Sequence, residues 1–301
     1  MVNIFNIPSD YFTLLLQGGA TYQNTFIANN FDKEKKLLGC LVTGTWGKYT
    51  SDDFSKIRDT KIIDVRQDEI ENYVLKPWEI DDIDFLHLTS NETINGIQLR
   101  EFNKINHGSL LIDMSSDIGS YSFEWDNLAY IYAGAQKNMG IPGVSICIGD
   151  KQYLNSENNS KYLNLGQLVE KNSLLNTPPT FSIYILKLVT DWMIQMGGVK
   201  YFEEKSIRQS SRLYEQLNSY KDFLLLPVCD YSKSRSNIIF KFENNELEKK
   251  FLMEAGEKGI IGLNGHRSEG GVRISLYNSI TDEMVDHLSE FMDKFFADNE
   301  K

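Results

Sequence analysis

The chain has 301 residues, of which 41% are apolar and 24% charged, and it carries a net charge of −11. That length suits two cores, and the composition is that of an ordinary globular protein. The acidic balance, with a pI near 5.0, excludes a nucleic-acid-binding surface, which needs a basic patch. A small anionic ligand stays open, because it needs only a few local cations.

Nothing near Met1 reads as a basic leader, and no apolar run is long enough to span a membrane, so a cytoplasmic protein is expected. Cys40, Cys147 and Cys229 show no metal-ligand or paired-cysteine spacing and read as small apolar residues in a reducing compartment. No metal site is expected. Asn91-Glu92-Thr93 and Asn158-Asn159-Ser160 match glycosylation acceptors by chance.

In chain order, Tyr11–Leu16 reads as a short apolar strand that breaks at Gln17-Gly18-Gly19-Ala20-Thr21, and a helix is expected from Tyr22 to about Ala28. Strand, glycine turn and helix start form a layout that aims backbone N–H groups at a phosphate, although two glycines suit any tight turn. A strand is expected over Lys36–Thr43, a loop over Gly44-Thr45-Trp46-Gly47, and a helix over Ser51–Arg58. Trp46, just past a strand end, either packs in the core or stacks on a planar ligand ring.

Phe85–Thr89 is a further strand, followed by a polar loop from Ser90 to Gly96. Ser109–Asp113 is an apolar run ending in a carboxylate. Leu128–Ala133 reads as a buried strand, and the stretch Tyr130–Asn138 ends in small residues that set Lys137 in apolar surroundings. Desolvation there favours the neutral amine, which attacks carbonyls, while a lysine at a strand end is also a common solvated residue. Val144–Ile148 reads as one more buried strand.

Strands alternating with helical or polar segments predict an α/β sheet, mostly parallel, whose ligands bind at strand carboxyl ends. The glycine turn, Trp46, Thr93, Asp113 and Lys137 all fall at or just after such ends.

After Asn176-Thr177-Pro178-Pro179, where Asn176 or Thr177 can cap, a long helix is expected, with Ile185, Leu188, Val189, Trp192 and Met196 at helical spacing. Gly197-Gly198 interrupts it. Strand Ser236–Phe242, helix Glu246–Gly256, strand Val272–Tyr277 and helix Asp282–Phe296 then make a small α+β unit. The expected division is a large domain over 1–200 and a small one over 201–301.

Asn91-Glu92-Thr93-Ile94-Asn95-Gly96, Ala133-Gly134-Ala135-Gln136-Lys137-Asn138, Asn176-Thr177-Pro178-Pro179-Thr180 and Gly265-His266-Arg267 with Gly270-Gly271-Val272-Arg273 occur in one order along the chain. On these motifs it resembles the phosphoserine aminotransferases, class V pyridoxal-phosphate enzymes of serine biosynthesis. The resemblance implies a fold type I transferase: a large, mostly parallel sheet domain and a smaller α+β C-terminal domain. It implies amino-group exchange between O-phospho-L-serine with 2-oxoglutarate and 3-phosphohydroxypyruvate with L-glutamate.

By the same resemblance, Lys137 matches the lysine that bonds covalently to pyridoxal 5′-phosphate, and Asp113 the carboxylate paired with the ring nitrogen. Trp46 matches the residue stacked on the ring; Ala20, Thr21, Thr93 and Gln136 match cofactor-binding positions, mostly around the phosphate. Asn176 and Thr177 match residues that reach the cofactor phosphate of a partner subunit, which implies a homodimer. Arg273 matches the arginine for the substrate α-carboxylate, and His266 and Arg267 match residues near the substrate phosphate or side-chain carboxylate. Read from the residues alone, Asp113 as a helix cap and Arg267 as a surface charge stay open.

Two departures stand out. Tyr22 occupies a position near the glycine turn where many members have a small residue. Members also usually carry about sixty further residues before this point, with a serine-glycine-proline turn, a helix and a histidine-arginine pair. A catalytically impaired paralogue that keeps fold and dimer is the alternative this raises.

Overall fold

A computed structural model describes residues 1–31, 37–66, 83–105, 109–154 and 160–299. The expected strand residue Lys36 and the acceptor Asn158 lie outside these. In order, the elements are α1 (Val2–Phe5), β1 (Tyr11–Leu16), α2 (Gly19–Asn30), β2 (Leu37–Val42), α3 (Thr45–Ile57), β3 (Thr60–Asp64) and β4 (Ile83–Thr89). A hairpin of β5 (Asn91–Glu92) and β6 (Ile97–Gln98) follows, then β7 (Leu110–Asp113), β8 (Leu128–Gly134), β9 (Ser145–Asp150) and α4 (Leu165–Glu170). The chain continues with α5 (Thr180–Gln195), α6 (Gly198–Ser219), β10 (Leu224–Leu225), β11 (Asn237–Phe242), α7 (Asn245–Glu257), β12 (Val272–Ser275) and α8 (Asp282–Asn299).

The larger sheet has the order β1-β9-β8-β7-β4-β2-β3. Neighbours from β8 to β3 pair in parallel, whereas β9 is antiparallel to both β8 and β1. Among the described strands of this sheet only β9 therefore runs backwards, and the sheet is mostly parallel as expected. Both faces are covered, so its central strands are near-continuous apolar runs. Alternate residues go to opposite faces: Leu110, Ile112, Ile131 and Ala133 join one core, Leu111, Tyr130 and Tyr132 the other. α1, α5 and α6 supply Ile4, Leu186, Met193 and Phe202 to the first face; α2, α3 and α4 supply Phe26, Phe54 and Leu165 to the second.

A second, antiparallel sheet of β10-β11-β12 packs under α7 and α8 around a third core rich in phenylalanine, including Phe240, Phe242, Phe251, Phe295 and Phe296. α6 serves both regions. Its start puts Val199 and Phe202 in the large-sheet core, and its end puts Leu213 and Leu217 in the third.

Four local expectations need correction. The first helix after β1 starts at Gly19 rather than Tyr22; Gly18, at φ 99°, makes the turn and lies under the Tyr22 side chain, so any Cβ there would meet it at 2.7 Å. The expected loop over 44–47 is instead the first turn of α3. Its acceptors come from a distant hairpin and leave no local signature. Neither Asn176 nor Thr177 caps α5: the residue at the cap position is Pro179, with no side-chain cap bond. The apolar stripe expected on α5 also faces outward in part. Leu188, Trp192 and Met196 are exposed, while Ser182, Leu186, Thr190 and Met193 are buried.

Candidate active site

Pairing brings Thr89, Asp113 and Tyr132 level at the carboxyl ends of β4, β7 and β8. Beyond those ends lies a cavity of about 490 Å³. Ala20, Thr21, Trp46, Thr93, Asp113, Gln136 and Lys137, predicted from separate stretches of sequence, all line it.

Lys137 leaves the sheet three residues after β8 ends, and its Nζ donates to Thr93 Oγ1 at 3.0 Å. The same Nζ lies 5.8 Å from the centre of the Trp46 ring. Burial lowers its pKa below the usual lysine value; Asp113 and Asp117 work against that, Arg273 adds to it, and Glu92 opposes it. The balance favours a neutral amine more than in water, which is what a nucleophile or proton acceptor needs.

Asp113 terminates β7, and its Oδ1 accepts the Ser115 N–H at 2.8 Å. Burial raises its pKa, with the Ser115 bonds and the Lys137 charge pulling back. Behind it, Asp117 accepts from Ser90 Oγ at 2.6 Å and Gln98 Nε2 at 3.1 Å, and burial raises it to about 6. The nearby negative charge of Asp113 raises Asp117 further.

The floor at the other end is the start of α2, where Gly19, Ala20 and Thr21 line the cavity. No side chain caps this helix. Its first N–H groups are therefore donors that α-helix geometry leaves unbonded, together with the positive end of the helix dipole. A phosphate fits such a cradle. An aromatic face, a carboxylate and an amine, from Trp46, Asp113 and Lys137, line the same cavity and would suit a planar pyridine ring. The indole Nε1 of Trp46 and Thr89 Oγ1 are buried without a hydrogen-bond partner among the described residues.

The remaining predicted residues stand apart from this cavity. Asn176 and Thr177 are exposed, and the Thr177 carbonyl accepts from Gln17 Nε2 at 2.6 Å. Arg267 is exposed, and His266 Nδ1 lies 2.9 Å from Ser268 Oγ. Arg273 sits on β12, partly buried, with its Nε lacking a partner among the described residues, yet its charge is felt at Lys137.

Sequence reasoning missed Ser115, Ser116, Asn91 and Thr89, which also line the cavity. The strand-end argument that picked out Asp113 applies equally to the last position of β4 and to the first three positions after β7 and β4. It missed Glu92 for a different reason: a glutamate in a polar loop gives no sign of burial. Here it is fully buried, and its pKa is pushed up to about 7 by that burial, against two N–H bonds that lower it.

A family model described as aminotransferase class-V matches residues 1–288. The chain is 38% identical over 302 residues to the phosphoserine aminotransferase of Halalkalibacterium halodurans, covering 98% of this chain and 83% of that protein. It is 38% identical over 306 residues to that of Bacillus subtilis, covering 100% of this chain and 84% of that protein. Among solved structures, phosphoserine aminotransferase from Bacillus circulans subsp. alkalophilus superposes with a TM-score of 0.92 at 35% identity, over 99% of this chain and 84% of the other. A PLP-bound phosphoserine aminotransferase from Trichomonas vaginalis superposes with a TM-score of 0.90 at 28% identity, over 97% of this chain and 85% of the other.

Proposed function

This chain belongs to the class-V aminotransferase family, within the phosphoserine aminotransferases, and from that premise we propose how its own residues exchange an amino group between O-phospho-L-serine and 2-oxoglutarate, giving 3-phosphohydroxypyruvate and L-glutamate. The enzyme is pyridoxal-phosphate-dependent. The observation that carries the assignment of residues is the convergence of Lys137, Asp113, Trp46, Thr93 and the uncapped start of α2 on one cavity.

When bound, pyridoxal 5′-phosphate supplies a carbonyl that bonds the substrate nitrogen and a ring that spreads negative charge left at the α-carbon. Lys137 holds the cofactor at rest and, once freed, takes the proton from the substrate α-carbon. Its desolvated, Thr93-bonded amine is suited to both tasks. Asp113 keeps the ring nitrogen protonated. Trp46 covers one ring face. Ala20, Thr21 and Gln136, with the start of α2, hold the phosphate. Arg273 grips the substrate α-carboxylate with a planar fork of donors. His266 and Arg267 meet the substrate phosphate or the side-chain carboxylate of glutamate.

The reading includes a homodimer in which Asn176 and Thr177 reach the partner's cofactor phosphate. Its support is an exposed apolar face adjoining them: Leu174 is 64% exposed, Phe181 69%, Tyr184 55% and Trp192 37%. Exposed large apolar side chains recurring along this stretch support an interface there. We place the division between the large and small domains near residue 200, inside the helix that serves both cores. A cytoplasmic location completes the reading, consistent with three cysteines that form no disulfide.

The test is direct. Purified protein incubated with O-phospho-L-serine and 2-oxoglutarate should form glutamate, and borohydride treatment should fix the cofactor to Lys137 in a peptide map. Lys137→Ala should abolish both. No glutamate formation, or a label on another lysine, would overturn the assignment.

A further inference from the structure

The first turn of α3 is a poor helix by its own sequence. Gly44-Thr45-Trp46-Gly47 contains two glycines, a β-branched residue and an aromatic, all weak helix formers. No local side chain caps it. Its first three N–H groups are instead satisfied from the β5–β6 hairpin. Asn95 Oδ1 accepts from Thr45 N at 2.9 Å, Glu92 Oε2 from Trp46 N at 2.8 Å and Glu92 Oε1 from Gly47 N at 2.7 Å.

The fit is close enough to dictate the sequence around it. A Cβ on Gly44 would come within 2.6 Å of both Asn95 and Glu92, and one on Gly47 within 3.1 Å of Glu92 Oε1. A cap for stability alone is available cheaply, from a serine or aspartate at position 44. A fully buried glutamate brought from 45 residues away is a costly substitute, since burial penalises its charge. What the distant residue provides and a local cap cannot is a fixed relation to the next residue along, Thr93, whose hydroxyl holds Lys137 Nζ.

We propose that Glu92 is a positioning residue for the cofactor site: its two carboxylate oxygens clamp the backbone of Trp46 and Gly47 to the strand-end turn that carries Thr93, setting the Trp46 ring at a fixed height over Lys137. The inference rests on the pyridoxal-phosphate reading above. It makes Glu92-Thr93 one unit that holds two of the cavity's lining residues, Trp46 and Lys137. The clamp is anchored from behind, because the adjoining Asn91 donates to Asn237 Oδ1 at 2.8 Å and to Ser116 Oγ at 2.7 Å.

The experiment compares Glu92→Gln with Asn95→Ala. The first keeps shape but leaves only one oxygen for two N–H donors; the second removes the Thr45 acceptor and leaves Trp46 untouched. Cofactor titration of the apo protein, circular dichroism of the bound cofactor and amide hydrogen exchange across 45–48 are read for each. At pH 8, above the Glu92 pKa of about 7, Glu92→Gln should bind pyridoxal phosphate about 10- to 100-fold more weakly, the range expected for one lost charge-assisted bond. It should also show changed cofactor dichroism and faster exchange at Trp46 and Gly47. Asn95→Ala should lose comparable thermal stability yet bind within about threefold of wild type, as a neutral contact remote from the ring would allow. Equal effects of the two variants on binding and dichroism, or a Glu92→Gln protein that matches wild type in both, would overturn the proposal. Wild-type protein that binds no cofactor would instead overturn the reading beneath it.

Discussion

The proposed site has two parts that differ in how far one chain can build them. The wall at the ends of β4, β7 and β8 is internally bonded: Lys137 to Thr93, Asp113 to Ser115, Asp117 to Ser90 and Gln98, and Glu92 to the start of α3. The outlying part, Asn176, Thr177, His266, Arg267 and Arg273, is on the surface or only partly buried and lines no part of that cavity. The first part carries its geometry in the sheet. On the proposed reading, the partners of the second come from elsewhere, a substrate anion or a second copy of the chain. Chemistry should therefore reside in the first part and substrate choice in the second, and each can be perturbed without the other.

The largest effect that separates them is at Arg273. Arg273→Ala should lower kcat/KM for both amino donors by about 100-fold or more, because two charge-assisted bonds to a carboxylate are worth about 1.5–3 kcal/mol each. Cofactor affinity should stay within a few-fold of wild type. Steady-state kinetics beside a cofactor titration checks this; parallel losses in both would show that the two parts are one.

The next effect belongs to the buried wall and is read as stability against pH in the cofactor-free protein. Burial raises the Glu92 pKa from 4.5 to about 7. Between those values the folded state keeps a proton that the unfolded chain has released. The stability this contributes is complete below pH 4.5 and is lost as pH rises through about 7, an amount of about 3 kcal/mol at about 1.36 kcal/mol per pH unit. His87, buried beside Tyr132 OH at 3.0 Å, has its pKa lowered to about 3 and works in the opposite direction below its ordinary 6.5. The wild-type profile mixes these two with the raised carboxyls of Asp113 and Asp117, and the difference between wild type and Glu92→Gln isolates Glu92. Denaturant melts from pH 4.5 to 7.5 should show that difference shrinking as pH rises; a difference independent of pH would mean that burial does not hold the proton on Glu92.

The smallest effect tests the second copy. Asn176→Ala with Thr177→Ala should weaken cofactor retention about tenfold, the worth of one or two net hydrogen bonds. Leu188→Glu, on the exposed face of α5, should give a monomer by sedimentation and the same loss of retention. A monomer that holds its cofactor at full strength would place the outlying residues outside the cofactor site altogether.

How much of this was legible beforehand varied with the range of the interactions involved. β1 was placed to the residue, and β4, β7, β8, β11 and α7 to within two residues at each end, because buried strands and amphipathic helices write their burial into local periodicity. β3 was missed. It is an edge strand, half-exposed, whose Thr60-Lys61-Ile62-Ile63-Asp64 has charges at both ends of a two-residue apolar core. On α5 the period was right and the face was not. Apolar residues lie on both sides, and only packing decides that Leu186 and Met193 turn inward while Leu188 and Trp192 stay outside.

By itself, the sequence determined the alternation of strands and helices, the strand ends at which ligands bind, and the residue types waiting there: Lys137, Asp113, Trp46, Thr93 and the glycine turn. These follow from local rules, since burial patterns and turn residues act over a few positions. Only the tertiary structure decided that α3 begins at Thr45, that Glu92 is buried against it, and that the 92–95 turn ties Trp46 to Lys137. The reason is physical. A helix start needs acceptors for its free N–H groups, and when they come from 45 residues away no local pattern records the debt.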